Sequence, residues 1–248
     1  MTAAQRTAVV TGGIGGLGTA ICKSLALRGH RVIAVDLGSQ DQRLRQFHEE
    51  VAGLDIGFSA LDVADFDACA GFVADLESRH GGIDILVNGA GITRDTTLRK
   101  MERAQWESVL RVNLDGVFNL CRHAVEGMVA RGFGRIVNIS SVNGQTGQFG
   151  QTNYSAAKAG MHGFTMALAR EVARKGVTVN SVSPGYCETA LVMAMPDQIR
   201  AGILEQVPVG RLGRPEEIAR VVEFLVAEDA GFITGANIPV NGGLFMSF

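Results

Sequence analysis

The sequence predicts an α/β fold, a doubly wound parallel sheet of seven strands covered by helices on both faces. Two observations carry this expectation. Short runs rich in Val and Ile recur along the chain, apolar almost throughout rather than alternating, as strands covered on both faces are. Between them lie amphipathic stretches long enough to serve as crossover helices.

Taken in order, the strand candidates are "TAVVT" (7–11), "RVIAVD" (31–36), "IGFSALDV" (56–63), "IDILVN" (83–88), "RIVNIS" (135–140), "VTVNSVSP" (177–184) and "ANIPVNGG" (236–243). Helices are expected at about 16–28, 40–52, 65–80, 102–130, 153–175 and 215–227. No repeat, low-complexity tract or Pro/Ser linker breaks this alternation, so residues 1–248 are expected to form a single Rossmann-type domain. Glu188 to Gly210 has weak periodicity and is expected to act as a lid over a site, at about 188–210.

Composition narrows the function classes. The formal net charge is -2 over 248 residues, which gives no general pull toward nucleic acid or an anionic membrane. The four cysteines, Cys22, Cys69, Cys121 and Cys187, are scattered, without a CxxC pair or a His cluster, so reduced thiols and no metal are expected. No apolar run approaches the roughly 18 residues of a membrane span, and the first residues are polar, so a cytoplasmic protein is expected.

The first strand runs into "TGGIGGLG" and then a helix, with Gly12, Gly16 and Gly18 around Ile14 and Leu17. Glycines there permit a tight turn and bring helix N–H groups close to a pyrophosphate; an ordinary glycine turn is the alternative. Asp36 ends the second strand, where a carboxylate accepts from ribose hydroxyls or is simply solvated. Beside a 2′-phosphate it would be repelled: a unit pair at about 4 Å and an effective dielectric near 20 costs about 4 kcal/mol, and even a fraction favours NADH over NADPH. Arg43, the first basic residue after Asp36, is the group able to weaken that preference. Asp62 and Val63 would bound an adenine ring, or merely end a strand.

Tyr154 and Lys158, in "GQFGQTNYSAAK", are spaced i, i+4 and share one helix face, so the ammonium can act on the phenol. A free phenol has a pKa near 10, and a neighbouring cation shifts it down. Ser141 ends the fifth strand, where its hydroxyl could hold a carbonyl oxygen or start a turn. Asn113 interrupts an apolar stripe of Trp106, Val109, Leu110 and Val117. Its amide is expected either to be satisfied by backbone or to fix a water that links Lys158 to solvent.

With TGGIGGLG, Asp36, Asn113, Ser141, Tyr154 and Lys158 in this order, the sequence resembles the short-chain dehydrogenase/reductase family over essentially its whole length. The resemblance implies that Tyr154 is the general acid, that Ser141 orients the substrate carbonyl, that Lys158 binds nicotinamide ribose and lowers the Tyr154 pKa, and that Asn113 completes the relay. It also implies cofactor contacts from Asn88, Ala90, Gly91, Pro184, Gly185 and Thr189, although Thr189 reads equally as a helix N-cap. Gly89 departs from the family's usual Asn-Asn-Ala-Gly and removes a side-chain amide.

Within the family, the run from Gly134 to Tyr186 is similar to reductases of short 3-oxoacyl thioesters. That likeness implies reduction of acetoacetyl-CoA to (R)-3-hydroxybutyryl-CoA for polyhydroxybutyrate synthesis, by a homotetramer; such reductases more often use NADPH, and Asp36 makes this sequence resemble the NADH-using members. Gln148, Phe149, Gln151 and Tyr186 would contact the acetoacetyl group, with Asp95 beside them, unless they only pack a loop. Arg94, Arg99 and Lys100 are the local cations for coenzyme A phosphates. Reduction of 3-oxoacyl-acyl-carrier-protein, oxidation or reduction of another small alcohol or ketone, and non-catalytic nicotinamide sensing stay open.

Overall fold

The computed structural model describes residues 5–38 and 41–246. Seven parallel strands, β1 (Thr7–Thr11), β2 (Arg31–Asp36), β3 (Ile56–Ala60), β4 (Ile85–Asn88), β5 (Gly134–Ile139), β6 (Val177–Pro184) and β7 (Asn237–Val240), form one sheet in the order β3-β2-β1-β4-β5-β6-β7. The order reverses between β1 and β4, which opens a crevice at the carboxyl ends of those strands.

Strand β1 is buried along its whole length, with Ala8 and Val10 turned to one core and Val9 to the other. That two-sided burial is why its sequence is continuously apolar. Each fully covered Val contributes about 1.5–3 kcal/mol as an upper bound. Helices α1 (Gly16–Leu27), α2 (Asp41–Glu50) and α10 (Pro215–Val226) cover the first face. Helices α3 (Phe66–His80), α4 (Arg103–Leu110), α5 (Gly116–Arg131) and α7 (Thr152–Val172) cover the other. Position 40, where the second helix is expected to begin, lies outside the described residues.

Most elements differ from the sequence reading by a few residues at their ends, β4 starting at Ile85 and β7 ending at Val240, and three differences bear on the site. Strand β3 stops at Ala60 rather than 63, because after Leu61 N–H donates to the Asp36 carbonyl (3.0 Å) the Asp62 carboxylate accepts from Ala64 N–H (2.9 Å) and turns the chain. The expected helix at 102–130 is divided by a π turn, Arg111–Asp115. There the Asn113 amide donates to the Val109 carbonyl at 2.9 Å, taking an acceptor the α-helical ladder would use. Short helices α6 (Asn143–Thr146), α8 (Ala190–Met193) and α9 (Asp197–Gln206) were not anticipated; α8 and α9 fill the expected lid segment. No described helix is long and apolar enough to cross a membrane.

Candidate active site

The glycine loop is held by close packing. Gly12 adopts φ 65°, and a Cβ there would lie 2.7 Å from the Gly89 carbonyl oxygen; one on Gly18 would overlap the Gly12 carbonyl. The side chain of Ile14 is buried and pins the loop to the core, while Leu17 is half-buried beside it. Helix α1 starts at Gly16 with no side-chain cap and no acidic residue in its first turn, so its leading N–H groups are left for an anion. The methyl of Thr189 lies 3.1 Å from where a Gly16 Cβ would stand, which brings the segment after β6 onto this loop. Thr189 occupies the N-cap position of α8 without a side-chain capping bond, so its hydroxyl is not spent on the helix.

The Asp36 carboxylate accepts from Leu37 N–H at 2.9 Å. Burial raises its pKa, opposed by hydrogen bonds from Leu37 and Ile14 and by the charge of Arg43. Arg43 donates to the Ile14 carbonyl, to Thr19 Oγ1 at 2.8 Å and to Glu50 at 2.7 Å. The cation that sequence reasoning set against Asp36 is thus engaged elsewhere, and its partner Glu50 was not foreseen. Asp62 is exposed and Val63 buried, with the Val63 carbonyl fixed by Asn119 at 2.8 Å.

Across the crevice, Thr11 Oγ1 accepts from Gly89 N–H (3.0 Å) and Ala90 N–H (3.1 Å), tying the loop after β4 to β1. A Cβ on Gly89 would sit 2.8 Å from the Thr11 carbonyl oxygen, so the loop as packed here leaves no room for a side chain at this position. Asn88 is buried and donates to Asn138 Oδ1 at 2.8 Å, which joins β4 to β5. Gly185, just past Pro184 at the end of β6, is anchored by its N–H to the Val240 carbonyl at 2.9 Å. An uncapped helix start, glycines that leave no room for Cβ atoms and a carboxylate at the end of β2 fit a dinucleotide.

Tyr154 and Lys158 do share one face of α7, with the Lys158 ammonium 5.6 Å from the Tyr154 ring centroid. Lys158 is 3% exposed and donates to the Ile139 carbonyl at 2.8 Å. Burial pulls its pKa down to about 8. The expectation of a lowered Tyr154 pKa is corrected: burial raises it, and a hydrogen bond to Ser141 only partly offsets this, with the Asp95 charge adding to the rise. Desolvation of the phenolate is the largest influence on Tyr154.

Asn113 is fully buried, and its amide nitrogen donates to the Ile92 (2.8 Å) and Val109 (2.9 Å) carbonyls. Its Oδ1 has no partner and lies 2.6 Å from where a Gly91 Cβ would be, with Lys158 Nζ at 3.6 Å from the same point. Backbone satisfies one half of this amide, and the other half faces the surroundings of Lys158. The apolar stripe that flagged Asn113 is less buried than expected, since Trp106 is 37% exposed.

On the substrate side, Gln151 donates to Asp95 Oδ2 at 2.7 Å and accepts from Asn143 Nδ2 at 2.9 Å. Asn143 N–H donates to Ser141 Oγ at 3.1 Å. Burial raises the pKa of Tyr186, and a hydrogen bond from Asn143 counters it. Gln148 and Phe149 stand in solvent, Phe149 at 88% exposure, so they neither pack the loop nor join this network. Arg94, Arg99 and Lys100 are exposed nearby on the chain. Asn143 and Asn153 were not singled out; Asn153 is buried, accepts from Tyr154 N–H at 2.8 Å and donates to the Arg94 and Gln105 carbonyls at 3.2 Å, setting where α7 begins. The four cysteines are free and buried, and no metal-binding cluster occurs among the described residues.

Comparison with known proteins agrees with this arrangement. Residues 12–245 match a family model described as enoyl-(acyl carrier protein) reductase. The chain is 56% identical to an acetoacetyl-CoA reductase of Allochromatium vinosum, over 97% of this chain and 99% of the relative. It is 53% identical to an acetoacetyl-CoA reductase of Cupriavidus necator, over 98% and 99%. To a 3-oxoacyl-acyl-carrier-protein reductase of Vibrio cholerae it is 43% identical, over 97% and 98%. On the fold, the site and these matches, the chain belongs to the short-chain dehydrogenase/reductase family.

Proposed function

We propose that this protein reduces the 3-keto group of acetoacetyl-CoA with NADH, giving (R)-3-hydroxybutyryl-CoA for polyhydroxybutyrate synthesis in the cytoplasm, as a homotetramer. The observation that carries the reading is the meeting of Tyr154, Lys158 and Ser141 at the carboxyl end of β5, beside the glycine loop. Relatives named for this substrate, at over 50% identity and nearly full length, support it.

Gly12, Ile14, Gly16, Leu17 and Gly18 would hold the pyrophosphate, Asp36 the adenosine ribose, and Asp62 and Val63 the adenine. Asn88, Ala90, Gly91, Pro184, Gly185 and Thr189 would line the nicotinamide half, with 188–210 as the lid. The bound dinucleotide supplies the hydride. Ser141 holds the keto oxygen, and Tyr154 gives its proton to that oxygen as negative charge develops on it. Lys158, with a pKa brought near neutrality, returns a proton toward Tyr154 through water placed by Asn113 Oδ1. Two donors converging on one oxygen suit a ketone becoming an alkoxide, rather than the enoyl bond in the family description.

Asp95, Gln148, Phe149, Gln151 and Tyr186 would bind the acyl thioester. Acyl-carrier-protein thioesters are the second reading, supported by the Vibrio cholerae relative. Initial rates with both thioesters, each with NADH and NADPH, test substrate and cofactor together. Higher kcat/KM on the carrier-protein thioester, or with NADPH, refutes the corresponding half of the proposal.

A further inference from the structure

Asn143 is 9% exposed and sits on the four-residue helix α6, two residues after Ser141, which follows β5. Its polar groups are committed to two neighbours. The backbone N–H donates to Ser141 Oγ at 3.1 Å, and Nδ2 donates to Gln151 Oε1 at 2.9 Å. Tyr186 lies close by, its pKa raised by burial and the Asn143 side chain opposing that rise.

Each bond takes up an oxygen of the neighbour and leaves its hydrogen elsewhere. A serine hydroxyl whose oxygen accepts from Asn143 keeps its O–H to give. Gln151, accepting at Oε1 and giving one hydrogen to Asp95 Oδ2 at 2.7 Å, retains one N–H and cannot turn its amide over without placing Oε1 against the carboxylate.

We propose that Asn143 is a positioning residue that fixes the hydrogen-bond polarity of the acyl site, turning donor hydrogens of Ser141 and Gln151 toward the substrate. The site is thereby complementary to a ligand that presents only acceptors, as the two carbonyl oxygens of a 3-oxoacyl thioester do. This rests on the acyl-thioester reading above; were that reading wrong, the unaltered protein would fail to turn over acetoacetyl-CoA, an outcome separate from those below.

The test compares Asn143→Ala with Asn143→Asp, using steady-state kinetics on acetoacetyl-CoA at saturating NADH, NADH affinity by fluorescence and thermal unfolding. Alanine keeps the backbone donor to Ser141 but releases Gln151. It should raise KM about tenfold, the scale of about 1.4 kcal/mol, with NADH affinity within about twofold. Aspartate matches asparagine in shape but only accepts, so it draws the Gln151 hydrogens to itself. It should raise KM by a further factor of about five or more. A residue that merely packs predicts the opposite order, with the isosteric aspartate milder than alanine. That order, or a wild-type KM in the alanine variant, overturns the proposal. If the aspartate variant does not fold, the alanine KM decides alone.

Discussion

Replacing Lys158 with methionine should remove turnover and at the same time change stability in a pH-dependent way whose sign is fixed by burial. The lysine is 3% exposed, and its pKa falls from 10.5 to about 8 on folding. A base with a folded pKa below its unfolded one is harder to charge in the native state. Its burden is therefore fully present below about pH 8 and relieved as pH rises from about 8 toward 10.5. At about 1.4 kcal/mol per pH unit, that gap is worth about 3 kcal/mol at neutrality. Methionine also forfeits the 2.8 Å bond to the Ile139 carbonyl, worth about 2 kcal/mol for a charged donor. Lys158→Met should thus be more stable than wild type by about 1 kcal/mol at pH 7 and less stable near pH 10, a swing of about 2.5 kcal/mol. Urea titrations of both proteins across that range, at one protein concentration, measure the difference directly. A stability gap that stays constant with pH would show that the ammonium carries no desolvation burden, and the argument about its pKa would fall with it.

Tyr154→Phe should lower kcat by about 10²–10⁴-fold while leaving NADH affinity within about twofold by fluorescence titration; retained turnover would remove the phenol from the chemistry. Because burial holds the Tyr154 proton more tightly, oxidation of 3-hydroxybutyryl-CoA, which needs the phenolate, should accelerate with rising pH while reduction does not; parallel profiles would contradict this. Glu50→Gln should release Arg43 from its 2.7 Å partner and tighten NADPH binding relative to NADH several-fold, and Asp36→Asn should do so by about tenfold; an unmoved ratio of dissociation constants would count against both residues. Gly18→Ala drives a methyl into the Gly12 carbonyl and should cost about 1–3 kcal/mol in urea titration together with dinucleotide binding, so wild-type behaviour would show that the loop yields freely.

What the sequence disclosed is what depends on local spacing or on an oddity of pattern. The i, i+4 placement of Tyr154 and Lys158 needs only helical geometry, and Ser141 needs only the end of a continuously apolar strand. Asn113 stood out as an amide within an apolar stripe, although Trp106 in that stripe proved partly exposed. Glu50 and Asn143 gave no such signal. Glu50 meets Arg43 two turns away on the same helix α2, beyond the i, i+3 and i, i+4 pairs a sequence reading checks, and Asn143 meets Gln151 across the α6–α7 turn, so nothing in the spacing marks an ordinary glutamate or asparagine as paired.

The Tyr154 pKa was misjudged for a related reason: residue types announce which charges are near, whereas desolvation depends on how much of the chain closes over them. The corrected sign alters the chemistry. A phenol that keeps its proton at neutral pH already holds what an alkoxide must receive, and a lysine near pH 8 is poised to replace that proton afterwards. Burial thus works against the phenolate and for the reductive direction, so the same desolvation that makes Lys158 costly to the fold prepares Tyr154 as an acid.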